Sequence, residues 1–201
     1  MNIILFFFLT TLAFAQTFTG DNFSIKYEET GVSKTGRKLT TIGQIDYSYP
    51  SRLKIEITSP DPAVVVINET GSWFYQPPFI SKEKGLVTVS KRPSHPALKV
   101  FEALRNGLKN TDLYDCINDG KVISLVFKNK AKKDLGIDKI ILKSSKGPLK
   151  IHALKDVEEL QVYELKNTVK TWKFNDFKAE AKFHKEYFTF KIPENSKVQH
   201  Q

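Results

Sequence analysis

The chain has a single cysteine, Cys116, in 201 residues. One cysteine excludes an internal disulfide. Its four histidines, His95, His152, His184 and His200, are far apart and show no ligand spacing, so no metal site is expected. No Gly-x-Ser-x-Gly, no phosphate loop and no paired His and Cys occurs. Glu158 and Glu159 are adjacent, so on a strand they point to opposite faces and read as solvated charge. These absences predict a protein that is not an enzyme. Internal repeats, low-complexity segments and domain linkers are also lacking. Beyond the N-terminus no apolar run approaches the roughly 20 residues that span a bilayer as a helix.

The N-terminus stands apart. Ile3 to Phe14 is almost continuously apolar, and Ala13-Phe14-Ala15 fits a small-x-small cleavage signature. The n-region has no Lys or Arg. The run is too short to span a bilayer, so residues 1–15 read as a secretory signal peptide cut before Gln16. A bacterial lipoprotein would need Cys at that position, so the mature protein is expected to be soluble and unlipidated. Residues 16–201 suit a single domain with one core. Cys116, beside Ile117 and close to Val122 and Ile123, reads as a buried inert thiol. The formal charge of +9 and pI of about 9.4 favour anionic lipid or an acidic partner. Export makes nucleic acid an improbable partner. The densest positive run, Lys128 to Lys133, reads as a solvated loop, with electrostatic contact as its functional alternative.

What is present is mostly strand. Phe23, Ile25 and Tyr27 alternate with Ser24 and Lys26, and Lys38 to Tyr47 returns after a turn at Gly31 to Gly36. Leu53, Ile55 and Ile57 alternate with Lys54 and Glu56. Ser59-Pro60-Asp61-Pro62 turns the chain, because two prolines fix φ and remove two ladder donors. Ala63 to Ile67 is apolar on both faces. Asn68 to Gly71 turns again, and Ser72-Trp73-Phe74-Tyr75 runs on until Pro77 and Pro78. Further strands are expected at Leu86–Ser90, Val122–Phe127, Ile137–Ser144, Leu149–Leu154, Leu160–Leu165, Val169–Phe174 and Tyr187–Ile192. Ala179 to Lys185 reads as a short helical turn.

One amphipathic helix is expected from Pro96 to Lys109, with Ser94 as N-cap and Pro96 near the first position. Leu98, Phe101, Leu104 and Leu108 share one face, and Lys99, Glu102, Arg105 and Asn106 lie mostly opposite. The expected fold is mainly β: a strongly curved antiparallel sheet with this helix over its concave face. The apolar set of Leu53, Ile55, Ile57, Val64, Val66, Trp73 and Tyr75, with Leu98, Phe101, Leu104 and Leu108, forms either an ordinary core or the wall of a cavity. Sequence alone does not separate the two.

The run from Gly43 to Phe79 resembles the LolA-type outer-membrane lipoprotein carriers. The resemblance lies in the order Gly, strand, Pro50, strand, Ser-Pro-Asp, aliphatic strand, polar turn, Trp-Phe-Tyr and Pro. Phe188-Thr189-Phe190-Lys191-Ile192-Pro193-Glu194 looks like the closing strand of that family. The resemblance implies an unclosed half-barrel with a helical lid and an apolar cavity. Leu53 and Ile55 would line that cavity, and Leu98, Val100 and Phe101 would take lid positions. It implies a periplasmic monomer, needing no cofactor, that carries acylated lipoproteins from an inner-membrane ABC release complex to an outer-membrane receptor. Family members place an Arg before the strand Pro to latch the lid. Tyr49 stands there in this chain, with Arg52 nearby, so a weaker latch is implied. The helix that members place before the first strand has no counterpart between Gln16 and Gly20. A carrier or sensor of another lipid or glycolipid, and a non-lipid periplasmic interaction domain, are the alternatives.

Overall fold

Alternation over Leu53 to Ile57 is the pattern of a strand with one dry face. It builds β3 (Arg52–Ser59) in the computed structural model, which describes residues 17–32, 36–80, 82–91, 95–166 and 168–201. The expected signal peptide and Ser94 lie outside the described residues. Before β3 come β1 (Asn22–Val32) and β2 (Lys38–Ser48). After it come β4 (Ala63–Asn68), β5 (Gly71–Gln76), β6 (Gly85–Ser90), α1 (Pro96–Leu104), β7 (Tyr114–Asn118) and β8 (Ile123–Phe127). The chain continues through α2 (Asn129–Leu135), β9 (Ile137–Lys143), β10 (Glu159–Glu164), β11 (Val169–Ala179) and β12 (Ser196–His200).

All twelve strands join one sheet in the order β12-β6-β5-β4-β3-β2-β1-β11-β10-β9-β8-β7. Neighbours pair antiparallel except β12, which runs parallel to β6. The two edges never meet, so the barrel is unclosed. One buried cluster joins Leu53 and Ile55 of β3 to Leu125 of β8 and Ile140 of β9 through α1. Strands so far apart in the sheet share a core only because the sheet wraps around the helix. Mainly β, curved and unclosed with a helix in the hollow is the architecture the sequence predicts.

Several elements differ from expectation. Leu149–Leu154 is not a strand; it holds two 3₁₀ turns, Pro148–Lys150 and Leu154–Asp156. Gly147, with φ of 86°, and Pro148 start the first turn and keep the backbone off any ladder. Tyr187–Ile192 forms an irregular strap, because its aromatic rings pack sideways onto the sheet; the last strand is β12. β1 continues through Gly31 and Val32, while 33–35 lie outside the described residues. β11 extends through Ala179, displacing the expected helical turn. β7 carries no readable periodicity in Tyr-Asp-Cys-Ile-Asn. The Lys128–Lys133 run lies mostly within α2, where Lys132 pairs with Asp138. α1 ends at Leu104, earlier than its pattern suggests, and Gly107 (φ 80°) follows in the left-handed region.

Strand register fixes the two ends of the sheet. At one end, the rim, sit the β1–β2, β3–β4 and β5–β6 connections and the β10–β11 turn. α1 begins there, with His95 and Pro96 beside Thr41 and Ile57. It runs along the hollow to the far end, where Arg105 meets Gly20 and Asp21.

Candidate functional site

Two faces of the sheet must be distinguished before any residue is assigned. Leu53 pairs with Ile67, Ile55 with Val65 and Ile57 with Ala63. Directly paired side chains share a face. The concave wall is therefore Leu53, Ile55, Ile57, Ala63, Val65 and Ile67, continued by Tyr47, Ile45, Phe23 and Ile25. α1 lies against it with Leu98, Val100, Phe101 and Leu104 buried. Phe101 is fully buried, edge-on to Phe23 at 5.0 Å and 6.0 Å from both Tyr47 and Trp172.

Val64, Val66, Trp73 and Tyr75 lie on the other face. Val66 pairs with Lys54 and Trp73, and Val64 with Glu56 and Tyr75. The strap covers them: Phe190 sits 6.4 Å from Trp73 and 6.2 Å from Tyr75. Tyr187 donates to buried Asp46 at 2.6 Å, and Asn68 donates to the Phe188 carbonyl at 3.0 Å. The structure thus separates the predicted apolar set into two layers. Sequence reasoning missed Val65 and Ile67 because Ala63–Ile67 is apolar at every position. Counting across the turn, with Ile57 opposite Ala63, was the signal that places them.

The polar attachment of α1 also differs from the one the resemblance implies. Arg52 turns to the convex side, donating to the Tyr49 carbonyl at 3.3 Å and lying 5.9 Å from the Phe188 ring. Tyr49 does reach the helix end, but through its ring: the Arg105 guanidinium stacks 3.7 Å from its centroid. Arg105 also donates to Asp21 at 2.8 Å and to the Gly20 carbonyl at 3.1 Å. Glu102 accepts from the Tyr47 hydroxyl at 3.3 Å and from the Ser51 backbone N–H at 3.1 Å. Burial, with Glu102 adding to it, raises the Tyr47 pKa and keeps the hydroxyl a donor. The latch is therefore Glu102 and Arg105 on the helix, gripping the far end of the sheet.

The opposite end of α1 is held differently. His95 caps it, Nδ1 accepting the Ala97 N–H at 3.1 Å. Burial, with the charge of Lys170 adding to it, pushes the His95 pKa down to about 4. Two cavities flank this end. One of about 310 Å³ is lined by Pro96, Val100, Ile137, Val162, Leu165 and Trp172 among others. The other, of about 180 Å³, is lined by Ile45, Ile55, Ile57, Val65, Ala97 and Trp172, with Glu29 and Lys170 at the polar side. Pro96, Lys170 and Trp172 border both. Trp172 is fixed by its indole N–H, which donates to Glu29 at 2.6 Å.

Cys116 is half-buried at the core margin, and burial raises its thiol pKa, which keeps it protonated and unreactive. Among the described residues no group of three or more His, Cys, Asp or Glu is placed to hold a metal. No helix of the described residues is long and apolar enough to cross a membrane.

The family model described as outer membrane lipoprotein carrier protein LolA matches residues 19–191. The chain belongs to that family, whose members are periplasmic carriers rather than enzymes. Among solved structures it is similar to an uncharacterized conserved protein from Thermus thermophilus. That likeness has 11% identity over 90% of each chain and a TM-score of 0.49. It is also similar to a LolA superfamily protein from Nitrosomonas europaea, at 11% identity over 85% of this chain and 90% of that one, with a TM-score of 0.44. No curated protein sequence matches.

The two ends of α1 make separate predictions. Tyr49→Phe keeps the ring under Arg105 and should leave stability within about 0.5 kcal/mol of the parent. Glu102→Ala leaves two donors unpaired and should cost about 1–2 kcal/mol in urea unfolding. At the cap, folded His95 stays neutral down to pH about 4, while the unfolded chain takes the proton near 6.5. Protons therefore favour unfolding, and stability should fall as pH drops from 6.5 toward 4, by about 2 kcal/mol given partial exposure. His95→Asn keeps a cap acceptor and should flatten urea midpoints across that window. An unchanged slope would refute the assignment.

Proposed function

We propose that this chain is a periplasmic, non-enzymatic carrier that holds lipoprotein acyl chains beneath α1 and shuttles them from inner to outer membrane. The observation that carries this reading is a largely apolar cavity and a smaller, mixed one meeting at Trp172 under the rim end of α1, within a chain of the LolA family. A carrier is physically required for such cargo. Each acyl CH₂ in water costs about 0.8 kcal/mol, so a sixteen-carbon chain costs on the order of 12 kcal/mol.

The cavities are small for this task. Ligand sites usually run from about 300 to 1,000 Å³, and the smaller cavity holds about 180 Å³. Loading therefore needs α1 to move. The polar latch at Glu102 and Arg105 grips one end, whereas the rim end is held by its own cap, by apolar contacts and by one exposed hydrogen bond, from Lys99 Nζ to the Asp134 carbonyl at 3.0 Å. An incoming acyl chain replaces apolar contacts at little net cost, but it cannot replace the ion pair and hydrogen bonds. α1 thus swings outward at Pro96 and pivots near Arg105, joining the two cavities around Trp172. The secretory signal at residues 1–15, an inner-membrane ABC release complex as donor and an outer-membrane receptor as acceptor complete this reading.

Native mass spectrometry of the protein purified from its own periplasm without detergent tests it. Co-purified acylated lipoprotein is the expected result. A bound free lipid would shift the cargo to another lipid class. A bare mass together with no uptake of a fluorescent acyl probe would overturn the reading.

A further inference from the structure

The rim carries more exposed apolar surface than a solvated edge needs. Of the twelve large hydrophobic residues exposed among the described residues, six lie at this end: Val32, Leu39, Ile42, Phe79, Ile80 and Leu165. The opposite ends of the strands expose Tyr49, Ile117 and Leu149. The most prominent are neighbours, Phe79 at 71% and Ile80 at 60% exposed. They sit at the start of the β5–β6 loop, straight after Pro77 and Pro78. The loop is tied down behind them: the Glu83 N–H donates to the Ile80 carbonyl at 2.9 Å, and Asn195 donates to the Glu83 carbonyl at 3.1 Å. Exposed Lys82 and Lys84 follow the pair with exposed Glu83 between them, and on neighbouring rim connections Lys38 and Lys166 are exposed beside one exposed acid, Asp61.

We infer that this rim is a docking edge for an anionic phospholipid bilayer, with Phe79 and Ile80 entering the interface and the lysines contacting lipid phosphates. Two adjacent, strongly exposed apolar residues, Phe79 and Ile80, on a tied-down loop give the edge an apolar point that a binding surface uses. Its charge complement selects the partner, since lysines beside apolar residues suit an anionic headgroup layer. The net charge of +9 acts in the same sense. The mouths of both cavities and the start of α1 lie at this same end. A docked molecule would thus present its opening to the bilayer. The inference goes beyond the cargo reading and does not depend on it, because a chain that takes up no acyl group could still dock by this edge.

The test is site-specific. An environment-sensitive fluorophore is placed at Phe79→Cys or, as a control at the far end, at Leu149→Cys, each with Cys116→Ser. Vesicles containing phosphatidylglycerol should blue-shift the label at 79 and leave the one at 149 unchanged, and pure phosphatidylcholine vesicles should shift neither. Adding Lys82→Glu and Lys84→Glu should raise the lipid concentration for half-maximal response at least tenfold. An equal response at 149, or no response at 79, would overturn the inference. So would capture of a protein partner by the rim in place of lipid.

Discussion

Everything in this molecule depends on one helix lying inside the sheet. α1 brings six buried residues into the hollow, and Phe101 touches Phe23, Tyr47 and Trp172 from three different strands. An unclosed sheet cannot fill its own concave face. Without the helix, the walls from β1–β4 and β8–β11 would face water. The same contact that stabilises the fold therefore occupies the space a hydrophobic cargo would need. In the proposed carrier, plug and cargo would compete for one surface, and their exchange would be close to isoenergetic per unit of apolar area.

That competition gives meaning to the unequal ends of α1. Its far end is held by directional, charge-assisted contacts through Glu102 and Arg105, which acyl chains cannot imitate. Its rim end is held by packing around Pro96, by the neutral His95 cap and by one exposed hydrogen bond from Lys99 to the Asp134 carbonyl, which water can replace. The two cavities lie at the weakly held end. The convex face has no such freedom. The strap seals Trp73 and Tyr75 beneath Phe190 and ties Tyr187 to Asp46, so the sheet offers one apolar face and not two.

The architecture was legible because its signals are local. Alternation in β1, β2 and β3, two prolines at Ser59–Pro62 and one amphipathic run after Pro96 each specify an element without help from elsewhere. The site was legible only in part. Leu53, Ile55, Leu98, Val100, Phe101 and Leu104 are brought together in the hollow. Val64, Val66, Trp73 and Tyr75 are not, since an all-apolar strand has no period by which to choose a face. Tyr49 meets the helix through its ring and Arg52 turns away, because Arg105 over the one and Phe188 beside the other are each more than 50 residues distant in sequence. The strap resembled a strand in composition, yet its rings pack onto a sheet instead of extending one. The exposed rim emerges only once register brings four separate connections to the same end.

The central claim is that acyl chains enter the space under α1 beside Trp172. The chain has two tryptophans, and they lie on opposite faces of the sheet. Trp73→Phe leaves Trp172 as the sole emitter, and Trp172→Phe leaves Trp73. A brominated acyl probe should quench Trp172 and spare Trp73. Quenching of Trp73 alone, or of neither, would contradict the account.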